Sequence, residues 1–186
     1  MEISTRQRIA GRATNGADLR APVLNEHEVR AAAGLTMVIG AVAFSYAYFH
    51  RSFIPLRIVT ALLSAEFLAR LTLGLRCSPI GAVARALTLA QPPEWVSAKP
   101  KRFAWTLGLA MSSSMVVLTN VGVRGMVPRT ICLTCLSLMW MESVLGLCLG
   151  CRIYALLVRR GLTAEDAAVE VCAQGECERA IGPIEA

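Results

Sequence analysis

Val127 to Arg160 reads V-P-R-T-I-C-L-T-C-L-S-L-M-W-M-E-S-V-L-G-L-C-L-G-C-R-I-Y-A-L-L-V-R-R, and the fold is decided by how it is read. Between Thr130 and Cys151 it carries a single charge, Glu142, in a run long enough to cross a bilayer as a helix. Four of the seven cysteines lie in it, as the C-x-x-C pairs Cys132/Cys135 and Cys148/Cys151. The stretch is a cysteine-rich membrane span, a carrier of thiol chemistry, or both.

Composition favours the membrane. Apolar residues make up 55% of 186 positions and charged residues only 17%, with a mean hydropathy of +0.53, beyond the usual range of a soluble domain. The formal charge of +6 does not point to nucleic acid, because the basic residues cluster at the ends of apolar runs instead of forming a stripe between aromatics. Seven cysteines cannot all pair within one chain. Met1 to Arg30 has no apolar core of the kind a secretory signal needs.

Residues 1–22 are polar and rich in Gly, Ala and Arg, which reads as a flexible arm. Asn25 is placed to cap a helix, with Glu26 and Glu28 in the first turn. Four spans follow, at about 31–49, 56–75, 103–123 and 130–158. The first ends in Tyr46, Tyr48, Phe49 and His50, an interfacial aromatic cluster. The long connection holds a short helix beginning at Ser78-Pro79, with Ile80, Val83, Ala84 and Leu87 on one face, stopped by Pro92-Pro93. Lys99-Pro-Lys-Arg102 precedes the third span. Residues 161–186 form a tail with a capping-box helix at Thr163-Ala-Glu-Asp166 and the pair Cys172/Cys177.

Orientation follows from the cations. The arm holds Arg6, Arg8, Arg12, Arg20 and Arg30; the long connection Arg76, Arg85, Lys99, Lys101 and Arg102; the tail Arg152, Arg159, Arg160 and Arg179. The two short connections hold only Arg51 and Arg57, and Arg124 and Arg129. The positive-inside rule then predicts an all-α integral membrane four-helix bundle with both termini cytoplasmic, in the inner (cytoplasmic) membrane and with the lipid bilayer as its partner.

The cysteine pairs do not make one metal site. If the fourth span is continuous, Cys132 and Cys148 are about 24 Å apart along it, too far for one zinc ion. A relay along the helix fails too, since Cys148 lies about 160° around from Cys132 and thiol exchange needs sulfur contact. A quinone, the tail or a partner would have to bridge the pairs; no cofactor is otherwise indicated. Cys132/Cys135 follow Pro128 and Arg129, where a thiolate is favoured; Cys148/Cys151 have Arg152 as the nearest cation. Each pair has a plain reading as small apolar filler. Gly146 and Gly150 form G-x-x-x-G around Cys148, allowing close approach of another helix.

Glu66 and Arg70 stand at i, i+4 on the second span, and Glu142 has no local partner. At similar depth, the three read as an intramembrane charge site or as a structural lock between helices. His27 and His50 lie at opposite ends of the first span. No hydrolytic constellation and no phosphate loop is present.

Gly146-Leu-Cys-Leu-Gly-Cys151, preceded by Glu142, resembles the last span of the bacterial membrane family called domain of unknown function 4395. Asn25-Glu26, Val29-Arg30, Arg70, Pro79 and Lys99-Pro-Lys-Arg-Phe-Ala104 belong to the same resemblance, which covers Val23 to Tyr154. It implies a small polytopic membrane protein without an assigned activity. Members fused to, or encoded beside, thioredoxin-like or sulfurtransferase proteins imply thiol redox or sulfur handling with such a partner. Cys132, Cys135, Cys172 and Cys177 fall outside the pattern. The working reading is that Cys148 and Cys151 are redox thiols with Arg152 as the favouring cation, and that Cys132, Cys135, Cys172 and Cys177 are auxiliary. A small-solute or ion carrier using Glu66, Arg70 and Glu142 is the first alternative, and a non-catalytic membrane scaffold the second.

Overall fold

A computed structural model describes residues 8–12, 18–123 and 125–160. Six α-helices dominate these residues: α1 (Glu26–Phe49), α2 (Ile54–Thr72), α3 (Pro79–Thr88), α4 (Ala98–Val121), α5 (Met126–Leu145) and α6 (Leu149–Arg159). Local sequence explains several of the ends. Asn25 caps α1, its side chain accepting from the His27 N–H at 3.2 Å. Ser78 caps α3, accepting from the Gly81 N–H at 3.0 Å, with Pro79 in the first turn where no donor is lost. Gly122 closes α4 in the left-handed conformation.

Three short strands add a feature that an all-helical reading omits. β1 (Arg8–Arg12) pairs antiparallel with β2 (Asp18–Asn25), whose last residues pair with β3 (Trp95–Ser97). Part of the expected flexible arm is thus backbone-paired. Its alternation of apolar residues is too short to announce strands: residues 8–12 pair locally with residues 18–22, and only Val23, Leu24 and Asn25, beyond the arm, pair with a segment about 70 residues away. The β2–β3 pair gives α1 and α4 a common starting point, reinforced where the Glu26 N–H donates to the Glu94 carbonyl at 2.7 Å. The expected tail helix and Cys172/Cys177 lie outside the described residues.

Inside the bundle, small residues face inward. α1 buries Ala32, Ala33, Thr36, Ala43 and Ala47 while Val38, Val42 and Tyr46 point outward. α2 packs on α4, where the Phe67 ring lies against Gly108, and α1 packs on α5 and α3. Large apolar side chains also point outward on the other long helices, among them Leu62, Val117 and Leu133. With small residues inside and large ones outside, the packing resembles that of a bundle in lipid. Among the described residues, α1 and α4 are long and apolar enough to cross a membrane, and α5 with α6 makes a third candidate if the two count as one broken span.

That break corrects the expected single helix over 130–158. α5 stops at Leu145, Gly146 takes φ +69°, and α6 leaves at 94° to α5. The Leu147 N–H turns back to the Met141 carbonyl at 3.1 Å, as at a glycine C-cap. Beyond the break, Gly150 meets α4 with no space between: a Cβ there would lie 2.6 Å from Ala104 Cβ and 2.8 Å from its Cα. The Phe103 and Tyr154 rings flank this contact, 5.7 Å apart. The expectation that G-x-x-x-G admits a close neighbour holds at Gly150, whereas Gly146 serves the turn. Gly150→Val should therefore lower the melting temperature in detergent, with an overpacking cost of about 1–3 kcal/mol. Gly40→Ala, whose nearest neighbour would be Leu136 Cδ2 at 3.4 Å, should leave it nearly unchanged; equal melting of both variants would contradict the close contact.

Candidate functional site

The ends of α1, α2, α4, α5 and α6 meet around the α5–α6 turn. Two groupings form there, one of sulfur and one of charge. In the first, Cys148 is the N-cap of α6 and is disulfide-bonded to Cys151, with their Cα atoms 5.2 Å apart. The Cys148 sulfur also accepts from the Cys151 N–H at 3.3 Å. The pair expected inside a continuous helix is instead at a helix start, where the aligned peptide dipoles favour negative charge on sulfur. Cys148 is buried and Cys151 half-buried. Arg152 follows on the exposed side of α6.

The turn is held from outside by Arg30 of α1. Its guanidinium donates to the carbonyls of Ser143 and Val144 at 3.3 and 3.2 Å, the last turn of α5. Those carbonyls have no partner within the helix, and a cation at this end also complements the dipole. Gly146 lies directly beneath the same guanidinium, where a Cβ would come within 3.4 Å of it. Arg30 entered the sequence reading as a topological charge; here it fastens the chain just ahead of Cys148.

The charges form two linked clusters. Arg70 donates to Glu66 at 2.9 Å, as the i, i+4 spacing predicts, and to Thr36 Oγ1 of α1 at 3.1 Å. Glu142 goes elsewhere. Its carboxylate is 3.1 Å from the Lys101 ammonium, which also lies 2.9 Å from Glu26. All three are nearly inaccessible, at 5% for Lys101, 1% for Glu26 and 6% for Glu142. The expected grouping of Glu66, Arg70 and Glu142 near mid-membrane is thus redistributed, because α5 ends only three residues after Glu142. Arg70 still lies close enough to feel the charge of Glu142, so the clusters adjoin.

Lys101 and Glu26 were the residues missed. Lys99-Pro-Lys-Arg102 belongs to the first turns of α4 instead of preceding it, which turns Lys101 into the bundle. A signal was present: Lys101 near a helix start and Glu142 near a helix end each oppose the local dipole, and each invites an opposite charge from elsewhere.

The other cysteines stand apart. Cys132 and Cys135 are free, half-buried thiols in the first half of α5, with Cys132 against the cluster of Ala43, Ala47, Leu56 and Met115. Cys77 is free and exposed.

The chain belongs to the family described as a domain of unknown function, DUF4395, whose model matches residues 24–159. No curated protein and no solved structure matches it. The residues that carried the resemblance converge on this one end: Asn25 caps α1, Glu26, Lys101 and Glu142 form the ion triad, Arg30 fastens the turn, and Ala104 receives Gly150.

The triad sets a stability order. Lys101→Met leaves two carboxylates buried without their cation and should cost about 3–5 kcal/mol, the usual penalty for breaking a buried pair. Glu142→Gln leaves Lys101 paired with Glu26 and should cost clearly less. Denaturant unfolding in detergent micelles reads both; the reverse order would show that Lys101 is not the hub.

Proposed function

We propose that this member of the DUF4395 family is a multi-pass protein of the cytoplasmic membrane that carries out thiol–disulfide exchange or sulfur transfer through Cys148 and Cys151. The observation that carries this reading is the position of the pair: bonded to each other, at the start of α6, beside a glycine turn and near the surface of the bundle. Filler cysteines need none of these features. Arg152 is the cation beside the working thiols, and the co-reactant is a soluble thiol protein of the thioredoxin-like or sulfurtransferase class.

The membrane arrangement goes with it. We take α1, α2, α4 and α5 as four spans with both termini cytoplasmic. α3 and α6 then lie in the inner interface, with Val83 and Leu87 of the first and Leu149, Ile153 and Leu156 of the second exposed toward lipid. The outward Val, Leu and Ile side chains and the excess of cations at this end support that orientation. The buried charges suit a lock better than a solute path, since each carboxylate has a cation within 3.1 Å.

Two measurements bear on this. An impermeant maleimide should label Cys77 only from the cytoplasmic side and a Ser52→Cys variant only from the other; a common side for both would refute the four-span orientation. Mixed-disulfide trapping with a thioredoxin-like protein should be lost in the Cys148→Ser, Cys151→Ser double variant and kept in Glu142→Gln. Trapping that survives loss of both cysteines would rule the pair out.

A further inference from the structure

We infer that Cys151 is the sulfur attacked by an incoming thiol and that Cys148 is the sulfur that leaves. The inference rests on the exchange reading above and adds its direction.

Attack on a disulfide requires a thiolate to reach one sulfur from the side opposite the other, and it is fastest when the departing sulfur is the better-stabilised thiolate. The two sulfurs differ on both counts. Cys148 is 9% exposed and sits in the crook of the turn, between the end of α5, fastened by Arg30, and the start of α6. Cys151 is half-buried, the third residue of α6, and the neighbouring Arg152 and Ile153 are exposed. Access therefore favours Cys151.

Departure favours Cys148. Its sulfur already accepts the Cys151 N–H at 3.3 Å and stands at the positive end of the α6 dipole, so charge arriving there finds a donor in place. Cys151 lies within the helix, where the following N–H groups are engaged by carbonyls one turn back. Access and leaving-group stability thus assign the same order.

The step balances with a dithiol as the co-reactant. One partner thiolate bonds to Cys151 Sγ while the Cys148–Cys151 bond breaks, and its electron pair departs on Cys148 as a thiolate. The partner's second thiolate then attacks the partner sulfur of the mixed disulfide and releases Cys151 as a thiolate. Two electrons have passed to the pair, the partner has become a disulfide, and the two protons lost by the partner's thiols are balanced by protonation of Cys148 and Cys151.

The full chain, with Cys77, Cys132, Cys135, Cys172 and Cys177 replaced by Ser and the remaining pair oxidised, is mixed in detergent with reduced glutathione. The reaction is quenched in acid after short times, free thiols are alkylated, and peptide mass spectrometry locates each label. Early products should carry glutathione on Cys151 and the alkyl group on Cys148, in a ratio of about ten to one or more. An equal or reversed ratio overturns the assigned order while leaving thiol exchange intact. A sample in which Cys148 and Cys151 cannot be oxidised to a disulfide, or in which the disulfide is not opened by glutathione, overturns the exchange reading and the order with it.

Discussion

One ammonium group holds three helices together at the end of the bundle that carries the Cys148–Cys151 pair. Lys101 of α4 lies between Glu26 of α1 and Glu142 of α5, and all three are sealed from solvent. Burying an ion costs several kcal/mol unless it is closely paired, so Lys101 cannot be moved without exposing both carboxylates to that cost. Lys101 and Glu142 each stand at the end of a helix whose dipole opposes their charge, and each offsets the other. Arg30 and Arg70 add their fields at Glu26 and from beside Glu142. With Glu66 included, three acids face three bases in a small volume, so the cluster can be buried without a net charge.

The thiol turn depends on this frame. α5 ends where Arg30 collects its last free carbonyls, and Arg30 stands one turn beyond Glu26 on the same helix. The position of the break is therefore set by α1, and α1 is set by the triad and by the short strand pairing that precedes it. The chemistry proposed for Cys148 and Cys151 occurs at a place defined by contacts that cross more than 100 residues of sequence.

Local signals in the sequence were read well and distant ones poorly. Asn25, Ser78-Pro79 and the Glu66/Arg70 spacing act within one turn, and the structure has each as expected. The DUF4395 family was also legible, from residues spread over most of the chain. The break at Gly146 was not, because the run around it is uniformly apolar and a glycine inside a membrane helix is unremarkable. Extending that helix to residue 158 then displaced Glu142 toward mid-membrane and hid its partner. Lys101 was counted with a cationic connection because the third span was placed at the uncharged run from Phe103, whereas α4 begins at Ala98 and takes Pro100 into its first turn, where proline is tolerated. The local β1–β2 pair in the arm went unread because its segments are short and weakly patterned, and the β2–β3 pair because β3 lies far along the chain.

Gly150 has a mechanical consequence. The disulfide is covalently part of the α5–α6 connection, yet its helix rests on α4 where Gly150, with no side chain of its own, meets Ala104. A chain joined to one helix by a bend of 94° and seated on another does not inherit the tilt of the first. Small movements of α5 in the bilayer are taken up by the few residues of the turn, while the sulfur pair keeps its place relative to α4. The fold thus uncouples the Cys148–Cys151 disulfide from the helix that precedes it, as a bearing isolates a shaft from its housing.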